Sequence, residues 1–167
     1  VLTLSVNYTD VAGNAGPSAT TSNYEVETLL PTAAITYNSS SPYKNGETIV
    51  ITATFSEAVV DSPIPQIAIT GSGIATVNAT NMTKTSTTVY TYNYVVPIGD
   101  GTGTISLSNG TDVAGNGITS TPTSGATFTV DNTSPTVSSF VLSDSALKAG
   151  ETATVTLTFS EAVAGFS

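Results

Sequence analysis

Apolar and polar residues alternate with a period of two along one stretch of the chain, GETIVITATFSEAV at residues 46–59. Ile49, Ile51, Ala53 and Phe55 fall on one face, and threonine and valine occupy the positions between them. A period of two with many β-branched residues is typical of a strand that is buried on one side. The pattern therefore predicts a half-buried β-strand.

This stretch occurs a second time, as GETATVTLTFSEAV at residues 150–163, with an offset of 104 positions (150 − 46). The motif TDVAGN is also repeated, at Thr9 and at Thr111, with an offset of 102 (111 − 9). The small difference between the offsets falls in a loop, where changes of length are tolerated. Repetition at the size of a domain predicts a tandem array of similar units.

Residues 29–131 are predicted to form one complete repeat of seven short strands, with turn residues between them and no helical periodicity. The predicted strands A to G cover residues 32–37, 46–59, 65–70, 74–79, 89–96, 102–112 and 126–131. Short strands at this spacing predict an all-β fold, a seven-stranded antiparallel sandwich. About 100 residues are enough for one independent core.

Partial repeats are expected on both sides of the complete one. Residues 1–28 would be the C-terminal F–G part of a preceding repeat, with strands over residues 1–10 and 23–28. Residues 132–167 would supply the N-terminal A–B part of a following repeat. Neither part can close a sandwich alone, so exposed sheet edges are expected unless neighbouring units cover them.

The charge balance excludes several classes of partner. The chain has three lysines, no arginine and 12 acidic residues, for a net charge of −9. Nucleic acid and anionic lipid both require clustered cations, so neither is an expected partner. No apolar run reaches the roughly 18 residues of a membrane span, so no direct membrane insertion is expected.

The missing residue types limit the chemistry. Histidine is absent, which removes the usual general base and makes an enzyme improbable. Cysteine is absent as well, so thiolate metal sites and disulfides are excluded. The remaining metal ligands are carboxylate, amide, hydroxyl and carbonyl oxygens, which suit calcium.

Three motifs carry a family resemblance: VDNTSPTV at residues 130–137, FSEAV at Phe55 and Phe159, and TDVAGN at Thr9 and Thr111. In this order they resemble bacterial immunoglobulin-like tandem repeats. The resemblance implies an immunoglobulin-like sandwich that serves as an extender in a large secreted adhesin or biofilm-associated surface protein. The location would be extracellular, at the cell surface, with neighbouring repeats of the same polypeptide as partners. A host-surface or glycan ligand would then be bound elsewhere in the parent protein. In several relatives calcium stiffens the junctions between repeats.

Topology predicts where such a junction would lie in this chain. In a sandwich of this kind, strand B ends where strand A begins, and the F–G loop lies at the same end, here called the upstream end. Glu57 lies near the end of strand B, Asp112 ends strand F and Asn116 follows it in the F–G loop, and the linker delivers Glu27. These four side chains are predicted to converge as calcium ligands, with carbonyls and waters completing a shell of six to eight oxygens.

Equivalent residues are predicted to serve the neighbouring junctions. They are Asp131, Asn132 and Glu161 at the junction after the complete repeat, and Asp10 and Asn14 at the one before the upstream junction. The two linkers differ, since Glu27 stands at the position of Asp131. Two alternatives to calcium remain at these sites. Asp-x-x-Gly-Asn makes good turns through Asx hydrogen bonds alone, and another cation or a water cluster is the other alternative.

Two other functions compete with the extender. One is a glycan- or protein-binding module, which an exposed aromatic cluster would favour; Tyr90, Tyr92 and Tyr94 share one face of strand E, although core packing is expected for them. The other is a fibre-forming subunit, whose partial repeats would be completed by strand exchange with neighbouring chains.

Overall fold

The computed structural model describes residues 3–22 and 25–165. Within these residues the chain forms twelve β-strands and no helix, so the prediction of an all-β fold is confirmed. In chain order the strands are β1 (Ser5–Val6), β2 (Ala19–Thr20), β3 (Ala33–Tyr37), β4 (Thr48–Phe55), β5 (Gln66–Ser72), β6 (Val77–Asn81), β7 (Thr83–Lys84), β8 (Val89–Val95), β9 (Gly101–Ser108), β10 (Thr127–Val130), β11 (Val137–Leu142) and β12 (Val155–Phe159). None of the described residues forms a helix with the length and apolarity of a membrane span.

Strands β3 to β10 form two four-stranded antiparallel sheets. One has the order β3-β4-β8-β7 and the other the order β10-β9-β5-β6. With β3, β4, β8 and β7 as strands A, B, E and D, and β10, β9 and β5 as G, F and C, this is the strand arrangement of an immunoglobulin-like sandwich. The antiparallel sandwich predicted from the sequence is therefore the observed class of fold.

The alternation that predicted strand B is the alternation of burial along β4. Ile49, Ile51, Ala53 and Phe55 are buried, while the residues between them are exposed or half-buried. The second sheet contributes the facing half of the core, of which Ile67, Ile69, Ile105 and Leu107 form the centre. Every second side chain along these strands thus faces inward, and together the two sheets fill one apolar layer.

The tyrosines of β8 belong to this core. Tyr90 and Tyr94 are buried, and Tyr92 packs against the core while partly exposed. The Tyr90 hydroxyl donates to the Val59 carbonyl at 3.2 Å, so its one polar atom is satisfied inside the fold. Core packing, the interpretation expected from the sequence, is confirmed for Tyr90 and Tyr94.

The segment predicted as strand D, residues 74–79, does not occupy that position in the structure. Its residues 77–79 belong to β6, which pairs with β5, whereas the short strand β7, which lies after the predicted segment, takes the place of strand D and pairs with β8 in the other sheet. Between them Met82 is buried, and its amide donates to the Pro65 carbonyl at 2.9 Å. The chain crosses from one sheet to the other at this point, and the unit has eight strands where seven were predicted.

The segments on either side of the sandwich form separate two-stranded sheets. Strands β1 and β2 pair over two residues each. Of the predicted strand over residues 1–10, Val1 and Leu2 lie outside the described residues, and of residues 3–10 only Ser5 and Val6 form a strand. Of the predicted strand over residues 23–28, Asn23 and Tyr24 lie outside the described residues and residues 25–28 form no strand. Strands β11 and β12 pair as a hairpin whose apolar residues, such as Phe140, are largely exposed.

The sequence repeat is also a structural repeat. The Ser56 amide donates to the Thr32 carbonyl at 2.8 Å and the Thr32 amide to the Ser56 hydroxyl at 3.1 Å. The Ser160 amide and the Thr136 amide make the same two bonds, at 2.8 and 2.9 Å. The start of the A–B hairpin therefore has the same hydrogen bonds in both copies, whereas β11 has a register shift between Val137 and Ser139 that β3 lacks. The domain limits at residues 28 and 131 stay a prediction.

Candidate functional site

Two loops meet at the upstream end of the sandwich. The residues that follow β4 pair with the start of the F–G loop, where Val59 and Asp112 form a β-bridge. The Val60 amide also donates to the Thr111 carbonyl at 2.9 Å. This short pairing fixes the loop that carries Glu57 beside the loop that carries Asp112.

The linker completes a cleft at this end. Glu27, Glu57 and Asp112 line one open cleft of about 280 Å³, together with Ala58, Val113 and Ala114. Three acidic residues from separated segments therefore line the same cleft, and their role as calcium ligands stays a prediction. Val113 is 82% exposed at the tip of the F–G loop, so the rim of the cleft is apolar while its acids are the only charged groups on its lining.

Asp112 is held by the loop to which it belongs. Its side chain accepts hydrogen bonds from the Asn116 amide at 2.8 Å and from Asn116 Nδ2 at 2.9 Å. The hydrogen bond from the Asn116 side chain lowers the pKa of the Asp112 carboxyl, and burial of this residue, which is 4% exposed, partly opposes that effect. The carboxylate is therefore kept ionised at the wall of the cleft.

The first TDVAGN motif folds in the same way without a sandwich around it. Asp10 accepts from the Asn14 amide and from Asn14 Nδ2, both at 2.8 Å, and from the Ala12 amide at 2.9 Å. The Asn14 side chain lowers the pKa of the Asp10 carboxyl, as in the second copy. The Asx turn is thus a local property of the motif and accounts for its shape with no ion.

Asn116 also connects the loop to the linker. Its Nδ2 donates to the Glu27 carbonyl at 3.2 Å, in addition to its bond with Asp112. The amide nitrogen, which cannot ligate a cation, therefore faces the acidic groups. In this arrangement Asn116 supports Asp112 and fixes the linker, and its role as a calcium ligand stays a prediction.

The two glutamates differ in their contacts. Glu27 Oε1 accepts from the Leu29 amide at 2.6 Å, so this side chain closes a turn in its own linker. The half-buried Glu57 carboxylate makes no hydrogen bond to any described residue. Across residues 3–22 and 25–165, no three acidic side chains are already grouped closely enough to hold a metal ion. The oxygens of the cleft suit calcium in kind, but Glu27 and Glu57 would have to turn toward it.

The opposite, downstream end carries the next linker. Asp131 Oδ1 accepts from the Thr133 amide at 3.0 Å, which is the counterpart of the Glu27 turn. Asn132 Oδ1 accepts from the Asn45 amide at 2.6 Å, in the turn between β3 and β4. Glu161 lies beyond this linker, and its Oε1 is buried without a hydrogen-bond partner among the described residues. No hydrogen bond between described residues joins Asp131 or Asn132 to Glu161.

Comparison with known proteins gives one family. Residues 131–167 match the family model of a bacterial Ig-like domain. No curated protein and no solved structure matches the chain. Because residues 150–163 repeat residues 46–59, the matched segment is similar in sequence to part of the complete sandwich.

The sequence argument missed one acidic residue of the downstream end, Asp100. It lies in the glycine-rich GDGTG stretch at residues 99–103, between strands β8 and β9 and at the start of β9. In the structure its carboxylate accepts from the Asn132 amide and from the Thr133 hydroxyl. An acid flanked by glycines beside a turn is the signal that could have identified it.

Proposed function

We propose that this chain is a non-catalytic extender: part of a stack of bacterial Ig-like repeats that holds the functional tip of a long adhesin away from the cell surface. Bacterial Ig-like domains are commonly found in extracellular or surface proteins and are typically structural modules. The observation that carries the proposal is that both linkers are hydrogen-bonded to the sandwich, through Glu27 at one end and Asn132 at the other. In a stack of repeats, fixed linkers hold each repeat in a defined orientation relative to the next.

Calcium is proposed to stiffen the upstream junction. Glu27, Glu57 and Asp112 would hold the ion, with Asn116 at the edge of the site and carbonyl and water oxygens completing the shell. The ion would neutralise carboxylates that otherwise repel one another across the cleft. Asp10 and Asn14 would have the same part at the preceding junction, and Asp131, Asn132 and Glu161 at the following one.

The rival binding module finds less support. An exposed aromatic cluster would favour it, but the aromatic side chains of the sandwich are buried or packed against the core. A fibre-forming subunit has a specific observation in its favour, because the β11–β12 hairpin leaves Val137, Phe140 and Leu142 exposed. Strand exchange between chains would cover this face, and a solution mass that rises with protein concentration would support it.

Thermal unfolding with calcium and with a chelator tests the calcium proposal. An ion that binds only the folded chain stabilises it by about 2.7 kcal/mol when calcium is at 100 times its Kd. We therefore expect a lower Tm in chelator than in calcium, measured by circular dichroism. The difference between the two Tm values should be smaller for Glu57→Gln, which loses one ligand charge.

Glu47→Gln is the matched control for that measurement. Glu47 lies in the turn at the downstream end and accepts from the Lys44 amide at 3.3 Å, a bond that glutamine can also accept. Its response to calcium is expected to equal that of the unchanged chain. A Tm that is the same in calcium and chelator would leave the Asx turns as the whole explanation of the acidic motifs.

A further inference from the structure

The linker after the sandwich is held by hydrogen bonds to two loops of the sandwich. Asp100 accepts from the Asn132 amide and, through Oδ2, from the Thr133 hydroxyl at 3.0 Å. Asn132 Nδ2 donates to the Gly99 carbonyl, while its Oδ1 accepts from the Asn45 amide. Two consecutive linker residues are therefore attached to two different loops of the sandwich.

The loop that carries Asp100 is itself packed backbone against backbone. A Cβ at Gly99 would lie 2.1 Å from the Gly73 carbonyl oxygen, and one at Gly101 would lie 1.9 Å from the Ser72 carbonyl oxygen. Such contacts leave the β8–β9 loop little room to move relative to the end of β5. Asp100 is thus presented to the linker from a fixed position.

We propose that Asp100, Asn132 and Thr133, which we name the linker anchor, fix the direction in which the chain leaves the sandwich without any metal ion. The anchor has two attachment points, so it restrains bending about more than one axis. A carboxylate that accepts two hydrogen bonds is also a stronger partner for the linker than a neutral acceptor. The proposal does not depend on calcium at the upstream junction.

The first linker has no such anchor in its sequence. Thr28 and Leu29 stand at the positions of Asn132 and Thr133, by the offset of 104 that relates Pro31 to Pro135 (135 − 31). Leucine has no hydroxyl to donate, and threonine cannot supply the amide oxygen and nitrogen of asparagine at once. The first linker is instead attached at the upstream end, where Asn116 Nδ2 donates to the Glu27 carbonyl. The two junctions therefore differ in how they resist bending.

Distances between two spin labels test the anchor. The described chain has no free cysteine, and the sequence contains none, so Asn93→Cys on β8 and Thr156→Cys on β12 place one exposed label on each side of the linker. The full chain is measured in chelator, so that calcium cannot contribute. We expect a narrow distance distribution for the otherwise unchanged chain and a distribution about twofold broader for Asp100→Ala, because the released linker becomes flexible.

Two further variants keep the test decisive. Thr133→Val preserves the shape of the side chain and removes only the bond to Asp100 Oδ2, so a smaller broadening is expected, with no change in the Tm of the sandwich. Glu25→Ala, which removes one negative charge from an exposed residue before the sandwich, should leave the distribution unchanged. Equal widths for the unchanged chain, Asp100→Ala and Thr133→Val would overturn the anchor. The calcium proposal would stand or fall separately, on the Tm measurement.

Discussion

Replacing Phe128 by alanine is expected to cost about 3–5 kcal/mol of unfolding free energy, a large part of the 5–15 kcal/mol typical of a domain. Phe128 is 3% exposed. Its ring centroid lies 6.0 Å from that of Tyr37, 6.2 Å from Tyr43 and 5.6 Å from Tyr94, all in edge-on arrangements. The substitution would remove this ring from an aromatic cluster built from both sheets and would leave a cavity in its place. Urea unfolding followed by tyrosine fluorescence measures the loss.

Phe140→Ala is the matched control for this prediction. Phe140 lies on β11 and is 62% exposed, so the same substitution removes little buried area. Surface changes of this kind usually stay within about 0.5 kcal/mol. A similar loss for both variants would mean that the aromatic cluster does not hold the sandwich together.

Replacing Gly73 by alanine is expected to be the second most costly change. Gly73 has a φ of +77°, and a Cβ there would lie 1.9 Å from the Asp100 carbonyl oxygen. The left-handed backbone alone costs an alanine about 1–2 kcal/mol. The collision is with backbone, so the β8–β9 loop must also move, and the unfolding free energy should fall by about 2 kcal/mol more. Chemical denaturation measures the total loss of unfolding free energy.

Gly46→Ala separates the two causes. Gly46 has a φ of +85°, close to that of Gly73, but a Cβ there would meet nothing within 4 Å. This variant should therefore lose only the cost of the backbone conformation. If both glycine variants lose the same free energy, the tight contact between the β5–β6 turn and the β8–β9 loop is not a constraint on the fold.

The class of fold was predictable because one physical signal dominates the sequence. The alternation through Ile49, Ile51 and Phe55 has a single interpretation once the sheet has one buried face. No comparable hydrophobic pattern marks the point at Met82 where the chain crosses from one sheet to the other. Residues 74–84 mix the strand formers isoleucine, valine and threonine with asparagine, alanine and lysine, so local propensity marks no crossing point, and only the partner strands decide that β6 pairs with β5 and β7 with β8. Pairing is a tertiary choice, which local propensity does not contain.

The position of the candidate site followed from topology, but its hydrogen bonds did not. The end at which Glu57 and Asp112 meet is set by the order of strands, so their approach could be predicted. The orientation of the Asn116 side-chain amide depends on which acceptors surround it, and these come from two separate segments. Asp100 was missed for a related reason, since its partners lie 32 and 33 positions away in the linker.

Two kinds of junction follow from these contacts. At the upstream end, acidic side chains surround a cleft whose oxygens suit calcium, and Asn116 ties the loop to the linker. At the downstream end, Asp100 and Asn132 attach the linker directly. If calcium binds as proposed, an array with both would become stiffer in calcium and would keep part of its stiffness without it.

Small-angle X-ray scattering of the full chain, in calcium and then in chelator, tests the central claim that the repeats form an extended stack with stiffened junctions. We expect a larger maximum dimension and a profile typical of a rigid particle in calcium, with a partial loss of both in chelator. A scattering profile that is flexible in both conditions, or identical in both, would contradict it.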